Sequence, residues 1–577
     1  MTIPEAFSII LSRRFSSTSA AATTTIRRLS PYPNLPGIHS KYKPKVVEEA
    51  QKALTDYLHT TRSLPFTFAE HIGKNSIVSL ANLIRKIDFS APTFSRSFRR
   101  LLRYQPINEF EFFFESIGID HNEVPGLLPS NKFFFSEDGS VLNAAYTLSG
   151  FGFPWNMLGK LYKEEVSIFS KGSSELSARL DGFKEYGFGN LSVVGICLAF
   201  PYLLSVEGGL SSDIDALFGD LKRVFVELEM GCCVEGNVDA WYEVCSKVRV
   251  FYDLGCEKGK VGELICRRKE LFLECPEEVL VQKANYFCKF GVRKDCVGSF
   301  LLQSPEIFNL DLETPVISVL GLLEHFGLNT EELLDVSQKY LHVLGRNKMA
   351  NLPNVMKALD LHEWLFNKIK SSNGQLLVTY TVSGPDEDID KAYVNALKRI
   401  ESSRTSTHTM SKLDFLRGIG FGENALTIKV LKNLHGSSTE LQERFDFLLG
   451  TGIKYSKLCL QIRMAVRILS QSPGILEEKI NFLCQEMGSS LQYLDNFPAF
   501  LCFDLENRVK RRYGYYLWLK ENGLCTENYS IASLVATSEK KFLARLFRIH
   551  PAAPKQYLEG SSYKIPFNNS QENSMIR

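Results

Sequence analysis

A glycine that follows an apolar residue by four positions recurs along this chain at a nearly constant spacing. The glycines at 255, 291 and 327 are 36 residues apart, and those at 420, 452, 488 and 523 are separated by 32, 36 and 35 residues. A period of this size predicts a helical solenoid, which presents a long surface to its partner rather than a pocket. The copies are Phe183/Gly187/Phe188, Phe251/Gly255/Cys256, Phe287/Gly291/Val292, Leu323/Gly327/Leu328, Leu416/Gly420/Phe421, Leu448/Gly452/Ile453, Cys484/Gly488/Ser489 and Leu519/Gly523/Leu524.

The repeated glycine predicts the order of elements within one unit. Glycine fits the left-handed position just past a helix end, where a Cβ would cost energy. A proline then often starts a further element, as in Phe200-Pro201, Ser472-Pro473 and Phe497-Pro498. In Ser304-Pro305-Glu306 we expect the serine to cap a helix that begins at the proline. Each unit is therefore predicted to be a helix, a glycine turn, a second helix, a proline turn and a short helix.

The composition predicts a folded protein without a membrane span. Hydrophobic residues make up 44% of the 577 and charged residues 23%, which is enough apolar material for a continuous core. No apolar run reaches the about 18 residues that a spanning helix needs. The 13 cysteines are irregularly spaced without a Cys-x-x-Cys pair, so we expect small buried thiols in a reducing compartment.

The first 46 residues predict an organellar transit peptide. Between Glu5 and Glu48 the chain has no acidic residue but seven cations among many Ser, Thr and Ala. The pattern favours mitochondria and leaves chloroplasts as the alternative. Loss of residues 1–46 removes seven positive charges and one negative charge, so the formal charge falls from +2 to 2 − 7 + 1 = −4. Any contact with a polyanion must then come from cations gathered on one face.

Beyond the transit peptide we expect five further segments. They are an N-terminal helical region at 47–109, helical repeats at 110–370, an insertion or hinge at 371–410 that could separate two lobes, further repeats at 411–550 and a disordered tail at 551–577. Within the insertion, Gln375 to Val382 is a strand-like apolar run.

The detail of the repeats resembles the mitochondrial transcription termination factor (mTERF) family, plant organellar type. The segments that carry the resemblance are Phe287 to Val292 continuing to Leu301 to Phe308, and Phe482 to Gly488 followed by Phe497 to Phe503 and Leu505 to Tyr513. The resemblance implies an all-α, right-curved helical-repeat solenoid shaped as a half-doughnut, with three-helix units. Its concave basic groove would hold double-stranded DNA or RNA of the organelle and regulate transcription, termination, RNA processing or splicing.

Nine basic residues are candidate contacts for such a nucleic acid. The densest group lies beside Tyr513, Tyr515 and Tyr516, because phosphates need positive charge and unstacked bases need aromatic faces. A second group is a pair of arginines that lie one helical turn apart. A solvated helix face is the alternative explanation of both groups. The candidates are Arg508, Lys510, Arg511 and Arg512 in the dense group, Arg463 and Arg467 in the pair, and Arg267, Arg268 and Lys269 in an earlier unit.

The sequence offers no catalytic constellation. Gly259-Lys260 is followed by Val261 and lacks the remaining pattern of a phosphate-binding loop, and His362-Glu363 lacks a second histidine at Phe366. We therefore predict a monomeric protein that is not an enzyme and needs no metal or cofactor. The alternative function is a helical-repeat scaffold that binds organellar proteins without direct nucleic-acid binding.

Overall fold

The structure is a computed structural model that describes residues 35–90, 92–205, 212–227, 237–262, 275–380 and 388–560. These residues are mostly helical, and the predicted all-α helical-repeat fold is confirmed. Among them, no helix is both long and apolar enough to cross a bilayer.

The α-helices are numbered here in chain order. They are α1 Lys43–Asp56, α2 Phe66–Asn75, α3 Ile77–Ile84, α4 Phe94–Tyr104, α5 Glu109–Ser116, α6 Ser140–Phe151, α7 Leu158–Glu164, α8 Ser173–Lys184, α9 Asn190–Ala199, α10 Tyr202–Ser205, α11 Ser212–Glu227, α12 Val238–Asp253, α13 Glu277–Cys288, α14 Lys294–Gln303, α15 Val319–His325, α16 Thr330–Lys339, α17 Leu352–Leu359, α18 His362–Ser371, α19 Gln375–Val378, α20 Lys391–Glu401, α21 Ser406–Gly418, α22 Ala425–Lys432, α23 Ser438–Gly450, α24 Tyr455–Met464, α25 Pro473–Asn481, α26 Arg511–Glu521, α27 Ile531–Val535, α28 Glu539–Ile549 and α29 Ala553–Glu559.

Shorter helical turns connect these helices. The 3₁₀ segments are Val124–Gly126, Trp155–Met157, Val166–Ser170, Pro305–Asn309, Met349–Asn351, Val466–Ser470, Leu491–Asp495 and Pro498–Cys502, and the π segments are Tyr57–Thr61, Phe482–Glu486 and Leu505–Lys510.

The chain divides into two compact units. Unit 1 contains residues 1–284 and 294–308, and unit 2 contains residues 285–293 and 309–577. The division therefore falls near 285–309 and not at the expected hinge, 371–410. The described part of that segment is tied into unit 2, because Asp390 caps α20 and also accepts a hydrogen bond from the Ala425 amide at 2.8 Å.

The recurrent glycine adopts the predicted conformation. All eight glycines of the pattern have positive φ, between 61° at Gly488 and 98° at Gly420. At four of them the amide that follows the glycine donates to the carbonyl of the apolar residue five positions earlier: Cys256 to Phe251 at 3.1 Å, Leu328 to Leu323 at 3.0 Å, Phe421 to Leu416 at 3.0 Å and Leu524 to Leu519 at 2.9 Å. This is the Schellman ending of a helix, which explains why the apolar residue and the glycine keep a fixed spacing.

A short third element closes several units. The residue just before this element leaves the helical region, with φ −139° and ψ 66° at Ala465 and φ −134° and ψ 64° at Phe497. The chain then forms a 3₁₀ turn in which two successive apolar residues are buried, such as Ile468 and Leu469. These third elements include residues 166–170, 466–470 and 498–502, and α10 occupies the same place in its unit. At Ser304 the predicted capping serine likewise precedes a 3₁₀ segment, Pro305–Asn309, rather than an α-helix.

A basic side chain on the first helix of a unit donates to the backbone of the third element. Arg444 Nη1 lies 2.8 Å from the Leu469 carbonyl oxygen, and Lys479 Nζ lies 2.9 Å from that of Leu501. We call this contact the brace. Because the donor is charged, the brace is a strong hydrogen bond that ties the two ends of a unit together. Arg179 makes the same contact with Leu203 in α10, and Lys412 makes the equivalent contact at 3.0 Å with Leu434, which lies in the loop after α22 and not in a helical third element.

The bracing cation has a fixed register. It precedes the repeat glycine by eight positions at 179/187, 412/420 and 444/452, and by nine at 479/488. The additional residue coincides with the π segment Phe482–Glu486, a geometry that accommodates one inserted residue. Two further lysines in this register, Lys247 and Lys283, are buried as well.

One local prediction is wrong. The strand-like run at 375–382 begins as helix α19, in which Leu377 is buried, and its last two residues lie outside the described residues. Gly374, with φ 78°, ends α18 and lets the chain restart as a helix, and a short apolar run fits a buried helix as well as a strand. The two strands of the described chain lie elsewhere, as an antiparallel pair of β1 Val316–Ser318 and β2 Arg346–Lys348.

The expected disordered tail is partly ordered. Residues 553–559 form α29, whose Ala553 and Tyr557 are buried. At the other end, α1 begins at Lys43, within the predicted transit peptide, and Leu35 is already buried. Residues 1–34 and 561–577 lie outside the described residues.

We predict that Lys479→Met weakens its repeat. The substitution keeps the buried aliphatic stem but leaves the Leu501 carbonyl without its charged donor, which should cost about 1–3 kcal/mol. Hydrogen exchange over residues 466–502 should rise in this variant. The exposed Lys454→Met is the matched control, and equal exchange in the two variants would contradict the role of the brace.

Candidate nucleic-acid interface

Arg512, in the densest predicted basic group, is buried. It lies at the start of α26 with only 1% of its surface exposed. Its Nη1 donates to the carbonyl oxygens of Leu534 at 3.0 Å and Thr537 at 2.7 Å, and its Nη2 pairs with Glu539. The guanidinium therefore satisfies the end of α27 and the start of α28, and it is not accessible to a phosphate.

Arg508 has a similar structural role. Its Nε lies 2.9 Å from the Val535 carbonyl oxygen and its Nη2 lies 2.9 Å from that of Thr537. Its guanidinium carbon lies 4.6 Å from the centre of the Phe503 ring. Burial, followed by the charge of Arg512, lowers the pKa of Arg508.

The two remaining cations of this group also have partners within the chain. Arg511 Nη2 donates to the Tyr557 carbonyl at 2.9 Å, and its guanidinium lies over the Tyr557 ring. Lys510 pairs with Glu506. The aromatic neighbours Tyr515 and Tyr516 are buried. Arg508, Arg511 and Arg512 thus hold the C-terminal helices, and the burial of Arg512 corrects its predicted role as a phosphate contact. Lys510 pairs only within its own helical segment, so its contact with nucleic acid stays a prediction.

Arg463 and Arg467 do not lie on one helix as predicted. The second helix, α24, ends at Met464, and Arg467 belongs to the third element that follows the break at Ala465. Arg463 is half-buried, and its Nη1 donates to the Lys339 carbonyl at 3.1 Å. The two side chains therefore do not leave the same face of one helix.

Arg467 is exposed, and it makes no hydrogen bond or ion pair within the described part of the chain. It borders the third element of the next repeat, since its positive charge acts on Cys502, opposing the burial that raises the pKa of that thiol. Of the predicted contacts that the structure describes, Arg467 is thus the one whose guanidinium faces solvent without a partner. Arg267, Arg268 and Lys269 lie outside the described residues.

A buried histidine lies beside Arg463. His342 is fully buried, its ring is 4.9 Å from that of Phe421, and neither ring nitrogen has a hydrogen-bond partner among the described residues. Burial, with a smaller contribution from the Arg463 charge, lowers the pKa of His342 to about 3. The neutral imidazole therefore behaves as part of the core.

Unit 2 also contains an acidic cleft of about 370 Å³. It opens between α16 and the start of α18, and Trp364 forms part of its wall. Three carboxylates would repel a phosphate backbone, so this cleft does not suit nucleic acid. In the described residues, no three His, Cys, Asp or Glu side chains are arranged to hold a metal ion. The cleft is lined by Leu328, Glu331, Glu332, Asp335, Val336, Leu361 and Trp364.

Comparison with known proteins supports the resemblance seen in the repeats. The sequence pattern of the mTERF family matches residues 240–361 and 395–543. Over 522 residues, 90% of this chain and 94% of the relative, the chain is 55% identical to "Transcription termination factor MTEF18, mitochondrial" of Arabidopsis thaliana. It is 30% identical to "Transcription termination factor MTERF8, chloroplastic" of the same plant over 70% of this chain and 83% of the relative.

We predict that Arg512→Met lowers stability by about 2–4 kcal/mol, because several backbone carbonyls and Glu539 lose a buried charged donor. Arg467→Met should change stability by less than about 0.5 kcal/mol, since its side chain is exposed. Urea unfolding followed by far-UV circular dichroism compares them, and similar losses in both would refute the assignment.

We also predict that acid weakens unit 2 through His342. Its pKa is lower in the folded state than the ordinary 6.5, so the unfolded state binds the additional proton and stability falls as pH drops below about 6.5. Between pH 7 and pH 5 the loss is about 2 kcal/mol. His342→Phe keeps an aromatic ring against Phe421 and should abolish this part of the pH dependence in urea unfolding. An unchanged pH dependence would contradict it.

Proposed function

Because this chain belongs to the mTERF family, we propose that it is a nucleic-acid-binding regulator of mitochondrial gene expression. The observation that carries the proposal is the 55% identity with a relative named as a mitochondrial transcription termination factor. The names of both relatives make transcription termination the first step to test. In this role the protein would act by binding and not by catalysis.

The compartment is the mitochondrion. The basic N-terminal sequence, which has no acidic residue between Glu5 and Glu48, favours mitochondria, and the relative that covers 90% of this chain is named mitochondrial. The relative named chloroplastic is only 30% identical.

The contact that we propose in unit 2 centres on Arg467. An exposed guanidinium without an internal partner can form a charge-assisted pair with a phosphate at little cost in lost protein contacts. Arg463, which already donates to the Lys339 carbonyl, would contribute less. Lys412, Arg444 and Lys479 donate to carbonyls within their repeats, so they should not contribute phosphate contacts.

The alternative, a protein-interaction scaffold, is favoured by the acidic cleft beside Trp364. A carboxylate-lined cleft with an indole wall suits a lysine or arginine side chain of a protein partner.

The two functions differ in the kind of molecule that the protein binds in the organelle. Crosslinking of the tagged chain in purified mitochondria, followed by sequencing, should recover discrete segments of mitochondrial DNA or RNA. Recovery of proteins without enriched nucleic acid would favour the scaffold.

We predict that Arg467→Gln weakens binding to mitochondrial duplex DNA or RNA and reduces the salt slope. Loss of one phosphate contact lowers the slope of log affinity against log salt by about 0.9 for a duplex and 0.7 for a single strand. Fluorescence anisotropy of the full chain over a salt series measures both quantities. Lys555→Gln removes the same charge in unit 2 from an exposed lysine near Glu559 and is the control. Equal effects of the two substitutions would refute the contact.

A further inference from the structure

Helix α4, Phe94–Tyr104, carries the most concentrated positive charge of the described N-terminal region. Its sequence, FSRSFRRLLRY, contains four arginines and no acidic residue. It lies before the first segment that matches the mTERF family, which starts at residue 240. The arginines of α4 therefore lie outside the matched repeats, and none of them forms a brace.

The apolar side of α4 is buried within unit 1. Phe94, Phe98 and Leu102 are at most 2% exposed, and the helix packs against α1 and the π turn Tyr57–Thr61. The rings of Phe94 and Phe98 lie 5.7 Å apart. Since this face is buried in unit 1, α4 cannot insert it into a bilayer, and its opposite face is held firmly toward solvent.

Three of the four arginines have no partner in the part of the chain that the structure describes. Arg99 Nη2 pairs with Asp56 Oδ2 at 2.9 Å. Arg96, Arg100 and Arg103 are exposed and make no hydrogen bond or ion pair with any described residue. They differ in this respect from Arg444 and from the C-terminal basic group, whose donors are satisfied within the chain.

The spacing of the three free arginines fits a phosphate backbone. Positions 96, 100 and 103 follow the i, i+4, i+7 pattern, so their side chains leave one face of the helix along about 10 Å of its axis. Tyr104 adjoins this row and is 73% exposed. An exposed phenol next to a row of guanidinium groups can stack on an unpaired base while the arginines hold its phosphates.

We propose that Arg96, Arg100, Arg103 and Tyr104 form a second nucleic-acid contact, which binds single-stranded RNA or DNA through its phosphates and one stacked base. The proposal rests on the proposed function. A protein partner fits this face less well, because stable protein interfaces have an apolar centre and Tyr104 is the one strongly exposed apolar group of this helix. The contact would extend recognition into unit 1.

The test uses the full chain with labelled single-stranded RNA of mixed sequence and the corresponding duplex DNA. The variant Arg96→Gln/Arg100→Gln/Arg103→Gln should reduce the salt slope for RNA by about 2, and affinity at low salt by about tenfold or more. The control Lys45→Gln/Lys52→Gln/Lys74→Gln removes the same charge from unit 1, but from lysines near Glu49, Glu48 and Glu70. It should change affinity less than about twofold.

Tyr104→Ala separates stacking from charge. It should weaken RNA binding by about fivefold or more and leave duplex DNA binding unchanged, because a paired base is not available to the ring. Circular dichroism should show the wild-type fold and melting temperature for each variant, since all four side chains are exposed.

Several outcomes would overturn the inference. The triple variant and its control could bind RNA equally, or the triple variant could lose binding only to anionic phospholipid vesicles, which would make α4 a membrane-surface helix. If Arg467→Gln weakens binding and the α4 variant does not, the second contact fails and the proposed function stands. If the wild-type chain binds neither RNA nor DNA, the proposed function fails as well.

Discussion

The repeats depend on a hydrogen bond between a cation on the first helix and a carbonyl of the third element. A five-residue 3₁₀ turn that follows a break, such as the one at Ala465, leaves end carbonyls that its own backbone does not satisfy. Arg444 and Lys479 supply that missing donor. Because the charged donor comes from the opposite end of the unit, the same bond that completes the turn also fixes the first helix against it. Burial lowers the pKa of Lys479, because a charged ammonium group is less stable in this buried position than in water.

The sequence predicted the helices and glycine turns well because these features are local. A helix end that needs a left-handed residue favours glycine whatever the rest of the fold is. The pattern around Gly420 therefore predicts its own backbone conformation. Whether a cation is buried or exposed depends on distant parts of the chain and not on its neighbours in the sequence. Arg512 and Arg467 look alike in the sequence, yet one is buried under α27 and the other faces solvent. The misread strand at Gln375 has the same origin, since a short apolar run specifies burial and not period.

This difference changes how positive charge should be counted in the chain. A phosphate attracts only a cation that stays accessible, and a braced one would have to abandon a buried carbonyl before it could bind. Charge reversal across Arg508 to Arg512 would remove the donors that hold the C-terminal helices, so its effect on binding would not report a direct phosphate contact. The accessible charge lies instead at single positions such as Arg467 and on α4, whose apolar face is filled and whose arginines have no acidic neighbours on their helix. Affinity assembled from such separate contacts should depend strongly on salt.

Register separates the two kinds of cation by their positions in the sequence. A lysine or arginine eight positions before a repeat glycine is expected to brace its unit, as Lys412 does before Gly420. Arginines at i, i+4 and i+7 on a helix with a complete apolar stripe and no acids are expected to remain free. Arg267, Arg268 and Lys269 precede Gly291 by 22 to 24 positions, outside the bracing register. Their role as contacts therefore stays a prediction, and register alone gives no physical reason to remove them from the candidate interface.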